Sequence, residues 1–213
     1  IRDRSWDSVA RSRGLRRSAV LYLESAEDEA AAAWTSASAG RCSDFTFCSL
    51  GSLGGDDWFR LGDKDMAMHM RRSGLLVDGA SLPVASAFIT ELLGIAHTVI
   101  PFSADPIRTV VQSEQGDLAF QHYFVRERCQ PTVSGFRFDG IENAALNSAL
   151  ETYLADCDGI IICPSNPFVS VAPVVEVVGF LAAAALIPTI AVSPIVAGTA
   201  IKGPAAKMMQ ELN

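Results

Sequence analysis

The sequence predicts an α/β fold with a mostly parallel, Rossmann-like sheet, flanking helices and an inserted β-hairpin. Two short all-apolar runs, GIIIC at 159–163 and TIAV at 189–192, alternate with helix-forming stretches. Such runs read as parallel strands buried on both faces between helical layers. A third observation is the pair of β-rich runs on either side of SEQGD at 113–117, which reads as a hairpin. With 49% apolar and 19% charged residues, the 213-residue chain is too hydrophobic for wholesale disorder and long enough to bury a core.

The elements follow in order. Residues 1–55 differ in texture from the rest and read as a divergent, partly helical or irregular region, separate from an α/β domain at 56–213. Ser18 to Ala39 has good helix formers with Gly40 as a stop, and 40–55 reads as a linker. DKDMAMHMRR at 63–72 predicts a helix with acids in the first turn and bases in the last. Ser81 can cap a second helix that reaches Leu93, where Gly94 stops it. An apolar strand is expected at Thr98 to Phe102, and the hairpin pairs Arg108 to Gln112 with Leu118 to Val125. The second half reads as a helix around Ala144 to Leu154, strand Gly159 to Cys163, loop PSNP, helix near Val174 to Ala185, strand Pro188 to Val192 and loop SPIV.

Composition excludes several classes. Seventeen Lys and Arg against 24 Asp and Glu give a net charge of -7, which argues against a broad nucleic-acid or anionic-membrane footprint. The six Arg between Arg2 and Arg17 are interleaved with Asp3 and Asp7 and read as a solvated face. Cys42, Cys48, Cys129, Cys157 and Cys163 form no C-x-x-C pair, so reduced cysteines in the cytoplasm are expected, with Cys163 a buried hydrophobe. The chain starts at Ile1 without a secretory pattern and reads as a fragment. Residues 171–192 are long enough to span a membrane but contain Pro173, Glu176 and Pro188, so a buried helix followed by a buried strand explains them better.

The candidate chemistry lies at the carboxyl ends of the parallel strands, where open α/β sheets bind ligands. Ser165, Asn166 and Pro167 follow one strand and Ser193 and Pro194 the next, with Lys202 ahead of the last helix. Hydroxyls, an amide, backbone N–H groups and one ammonium on one rim suit a phosphoryl or pyrophosphoryl group. Equally, Ser and Asn make local turns after strands. Asp63, Lys64 and Asp65 open a helix just after Trp58 and Phe59, a mouth for a planar polar ligand, unless Asp63 only caps the helix. His69 shares a face with Asp65, and a lone His there reads as a packing residue. Arg108 can fork onto a phosphate or carboxylate, unless Asp105 pairs with it to close a turn. No Walker-A loop, G-x-G-x-x-G, G-x-S-x-G or H-E-x-x-H pattern is present.

WFRLGDKDMAMHM (58–70), FSADPIRTVV (102–111), FQHYFVRERCQPTVSG (120–135), CPSNPFVSVAPV (163–174) and SPIVAGTAIKGPAAKMMQEL (193–212), in that order, resemble the 2-phospho-L-lactate transferase family of coenzyme F-420 biosynthesis. The resemblance implies transfer of a phospholactyl or phosphoenolpyruvyl group from a guanosine diphosphate-linked donor to the deazaflavin Fo, with Mg2+ and release of GMP. It places Asp63, Lys64 and Asp65 near Fo, and Ser165, Asn166, Pro167 and Ser193 in the family's SNP and SPI loops. The catalytic residues are not named by it, and an assembly as a homodimer is compatible with it. The family's opening strand, glycine-rich loop and metal-binding carboxylate have no match ahead of Asp56, so the N-terminal nucleotide-binding part is expected to be missing. A non-enzymatic nucleotide-sugar-binding regulator of the same fold, or an inactive fragment, is the alternative.

Overall fold

A computed structural model describes residues 18–21, 51–59, 61–95, 97–201 and 203–212. The Arg cluster of residues 2–17, the helix expected after residue 21, the linker at 40–50 and Lys202 lie outside the described residues.

Three parallel strands form the first sheet: β1 (Ser18–Leu21), β5 (Gly159–Ile162) and β6 (Thr189–Ala191), in the order β1-β5-β6. Ser18 to Leu21 pairs residue for residue with Gly159 to Ile162. This corrects the helix expected from Ser18, because pairing beside β5 overrides local helix propensity. The N-terminal region therefore supplies a strand to the main sheet. In β5, Gly159 and Ile160 are buried as expected of a central strand, whereas Ile161 and Ile162 are half-buried. All three residues of β6 are exposed, which corrects the doubly buried reading: among the described residues β6 is an edge strand, and none of its residues is buried by its neighbours.

The second sheet is antiparallel, in the order β3-β2-β4, from β2 (Arg108–Ser113), β3 (Gly116–Ala119) and β4 (Val133–Asp139). The expected hairpin is present, with Gly116 at φ 99 after the turn and the Ser113 hydroxyl donating to the Gly116 carbonyl at 2.8 Å. Its second arm is shorter than expected. His122–Arg126 is a π-helical turn, and the aromatic run there signals burial, of Tyr123 above all, instead of pairing. The third strand, β4, was not legible because Gly135 interrupts its apolar pattern.

Helices α1 (Asp63–Val77) and α2 (Leu82–Leu92) pack on each other. Gly94 has φ 65 and ends α2 as expected, although Ser81 makes no side-chain cap. Because α1 runs on to Val77, Arg71 and Arg72 are not in its last turn, which carries no base. Thr98 to Phe102 is a loop and not a strand, held by Asn147: its side-chain amide donates to the Pro101 carbonyl at 3.0 Å and its backbone N–H to the Phe102 carbonyl at 2.8 Å. Asn147 also caps α3 (Ser148–Ala155) by accepting from the Ala149 N–H. The long helix expected near Val174 to Ala185 is two short ones, α4 (Ala172–Glu176) and α5 (Phe180–Ala184), separated at Gly179, which has φ 97. A small antiparallel pair, β7 (Ile195–Val196) and β8 (Thr199–Ala200), precedes α6 (Ala205–Glu211). No helix of the described residues is long and apolar enough to cross a membrane.

Two apolar clusters hold these elements. Phe138, Leu150, Leu154, Ile160, Val174 and Phe180 join the antiparallel sheet, α3, α4 and α5 to β5. Val111, Phe120, Tyr123, Val133, Val169 and Met208 join the inner face of the hairpin to α6 and the segment after the PSNP loop. Phe136 packs against both clusters and stacks on Phe168, with ring centroids 5.5 Å apart. Each fully buried side chain of this size contributes ~1.5–3 kcal/mol. The antiparallel sheet is thus fixed against the parallel strands by core packing.

Candidate functional site

Parallel pairing of β5 with β6 continues into a bond from the Val192 N–H to the Ile162 carbonyl at 3.0 Å. The PSNP and SPIV loops therefore leave the sheet from adjacent strands, at its carboxyl edge. Ser165, Asn166 and Pro167 stand at one corner and Ser193 at the next.

The side chains at these corners also make the local turns that the alternative reading foresaw. Asn166 is the N-cap of a π-helical turn, Pro167–Val171, and its Oδ1 accepts from the Phe168 N–H at 3.0 Å. Its Nδ2 donates to Met208 Sδ at 3.3 Å. Pro167 takes the first position of that turn, where its fixed φ fits and its missing N–H costs nothing. The Ser193 hydroxyl accepts from the Ile195 N–H at 3.1 Å and remains exposed. Ser165 is half-buried. Cys163 is half-buried and not fully buried as expected; burial raises its thiol pKa, and burial likewise pushes the Cys129 thiol up to about 11. Neither is a ready thiolate.

At the start of α1, Gly62 is the N-cap, with no side-chain cap bond. Asp63 lies inside the first turn, which corrects its reading as a cap. Asp63 and Lys64 are exposed, whereas Asp65 is buried. His69 is half-buried and its Nε2 has no hydrogen-bond partner; desolvation, and then the Arg72 charge, hold its pKa below the ordinary imidazole value against an opposing pull from Asp65.

Strand alternation exposes Arg108 on the outer face of the antiparallel sheet, where register sets it opposite Asp139, and Val110 opposite Ala119 and Arg137. Trp58 and His122 complete a cavity of about 540 Å³ over that face. Trp58 meets His122 edge-on, with centroids 4.9 Å apart, and its indole N–H is buried without an acceptor. Arg137 donates to Asp117 at 2.7 Å and to Asp139 at 2.5 Å. The hydrogen bond from Arg137 holds the Asp139 carboxyl below the usual carboxylate range, and the two acids raise the guanidinium pKa. Arg137 is thereby balanced by two carboxylates.

The cavity unites Trp58 with Arg108, two residues from separate segments of the sequence. Sequence reading missed Asp117, His122, Arg137 and Asp139. The alternating FRFD run before Gly140 was the signal available for Arg137 and Asp139. Asp105 Oδ2 accepts from the Ala145 N–H at 3.1 Å, 40 residues further along the chain, while its own N–H donates to the Ser103 hydroxyl. Among the described residues no three His, Cys, Asp or Glu side chains gather closely enough to hold a metal.

Comparison with known proteins adds the family. The chain is 36% identical over 166 residues to the 2-phospho-L-lactate transferase of Methanosarcina acetivorans, covering 78% of this chain and 54% of that protein. It is 32% identical over 164 residues to the enzyme of the same name from Methanosarcina mazei, with 77% and 54% covered. The phosphoenolpyruvate transferase of Mycobacterium ulcerans is 34% identical over 155 residues, with 69% and 47% covered. The chain spans about half the length of the curated relatives it matches. Among solved structures, protein BH3568 from Bacillus halodurans superposes with a TM-score of 0.47 at 15% identity, covering 58% of this chain and 39% of that one. The model of the family described as 2-phospho-L-lactate transferase CofD matches residues 44–213, and the chain belongs to that family.

Proposed function

We propose that this chain carries part of a transferase site of coenzyme F-420 biosynthesis. In this reading a phospholactyl or phosphoenolpyruvyl group passes from a guanosine diphosphate-linked donor to the terminal ribityl hydroxyl of Fo. The hydroxyl oxygen bonds to the phosphorus that bears the lactyl or enolpyruvyl ester and gives up its proton to solvent, the bond from that phosphorus to the bridging oxygen breaks, and GMP leaves with the bridging oxygen. Family membership and the names of the relatives support the chemistry. What supports the placement of the donor is one observation, the bond from Val192 to Ile162 that seats the two loops side by side.

Such a transfer needs positioning and charge stabilisation at phosphorus more than a covalent nucleophile. That agrees with a corner that offers hydroxyls and backbone N–H groups, and with thiols whose pKa is raised. The diphosphate is assigned to Ser165, Asn166, Pro167 and Ser193, with Lys202 as the cation. Fo is assigned to the start of α1, at Asp63, Lys64 and Asp65, and to the cavity that Trp58 and Arg108 line. The unpartnered indole N–H of Trp58 suits a carbonyl on the edge of a planar heterocycle.

The test is binding. Fo fluorescence should change as this protein is added, and calorimetry should register GDP as a probe of the donor corner. Saturable binding of a UDP-sugar with no response to Fo would replace the transferase reading with the regulatory one.

A further inference from the structure

We propose that Met208 is a positioning residue, through which α6 holds the PSNP loop in register with the antiparallel sheet. Met208 is fully buried among Val111, Phe120, Tyr123, Val133 and Val169, and its sulfur receives Asn166 Nδ2 at 3.3 Å. The other end of the same amide accepts from the Phe168 N–H. Each polar end of Asn166 therefore holds a partner, one in its own turn and one in α6. Rotating this side chain toward a ligand would break two bonds, so its contribution is to fix the backbone of the loop.

The same helix grips the other sheet. Lys207 Nζ donates to the Pro131 carbonyl at 2.8 Å and pairs with Glu211 at 2.6 Å. Glu211 Oε2 accepts from the Val133 N–H at 3.0 Å, at the first residue of β4. Neighbouring residues of one short helix thus tie the loop after β5 to the start of β4. A loop set in this way presents its N–H groups in one arrangement before any ligand arrives, which lowers the ordering cost of binding.

The inference rests on the assignment of a diphosphate to this corner, and its test separates the two. Met208→Leu nearly conserves volume but removes the sulfur acceptor. Three quantities are compared with the wild type: GDP affinity by calorimetry, Fo affinity by fluorescence, and amide hydrogen exchange at Phe168 and Ser170. Expected are GDP binding weakened about 5-fold, the equivalent of ~1 kcal/mol for one hydrogen bond, unchanged Fo binding, and faster exchange at Phe168. Equal GDP affinity, or an equal loss for GDP and Fo, would overturn the positioning role. If the wild type binds no GDP, the diphosphate assignment falls, and exchange alone decides: faster exchange at Phe168 with β5 unaffected supports the tie from Met208, whereas unchanged exchange removes it.

Discussion

Trp58 and His122 meet edge to face at 4.9 Å, although 63 positions separate them, and this contact attaches the segment ahead of α1 to the exit of the hairpin. A helix whose own residues are mostly exposed is thereby anchored at its beginning. Aromatic pairs of this kind contribute ~0.5–1.5 kcal/mol beyond the area they bury. The contact also forms one wall of the cavity above Arg108.

Trp58→Ala should therefore weaken Fo binding by up to about 10-fold, given the energy of one aromatic contact. Fluorescence titration of Fo reads this directly. Equal affinity in the variant would move the deazaflavin away from this wall.

Asp63→Ala removes an exposed carboxylate from the first turn of α1. It should lower Fo affinity while costing under about 1 kcal/mol of stability, the usual worth of an exposed charge near a helix N-terminus. Unchanged affinity would take Asp63 out of the site.

Asn166→Ala loses the cap on the Phe168 N–H and the bond to Met208. Stability should fall by ~0.5–2 kcal/mol and donor affinity should fall with it. Denaturant unfolding and GDP calorimetry measure the two separately. A donor titration that matches the wild type would leave PSNP as a structural turn only.

Gly140→Ala should be among the more damaging single changes outside the site. Its φ is 92, and an added Cβ would come within 2.4 Å of the Pro106 carbonyl oxygen. Left-handed strain alone costs of order 1–2 kcal/mol, and the clash adds to it. A urea midpoint equal to that of the wild type would contradict this.

His69 links stability to pH. Its folded pKa is depressed, mainly by burial, so below the unfolded value of 6.5 the unfolded chain binds more protons. Its contribution is whole above pH 6.5 and is lost as pH falls toward the folded value. Urea midpoints should rise from pH 5.5 to 7.5, and His69→Gln should flatten that rise. An identical slope in the variant would assign the pH dependence to other groups.

Much of the fold was legible because local signals agreed with tertiary packing. Gly94 stops α2, SEQGD turns the hairpin, and GIII forms the centre of the parallel sheet. Where the reading failed, burial had been taken for pairing. Ile100 and Phe102 are apolar because they pack against the core, yet Asn147 satisfies their loop without a ladder. The aromatic run at 122–126 is apolar for the same reason, and the backbone there coils. At the site, types and spacing revealed the two strand corners but not what their side chains would bond. The partner of Asn166 lies 42 residues away in Met208, a residue with no polar signature in a one-dimensional reading. The cavity was missed because its floor comes from three strands, one of which had not been recognised.

The outward row of β6 has a practical side. Ile190 is 62% exposed on a strand that, among the described residues, has a neighbour on one flank only, and Leu186 just ahead of it is 97% exposed. Bare strand flanks with greasy side chains adhere to whatever extended backbone they meet. Crowded stocks of this polypeptide will tend to cloud, and ligand titrations are best run dilute, where stickiness at that margin does not mimic saturation.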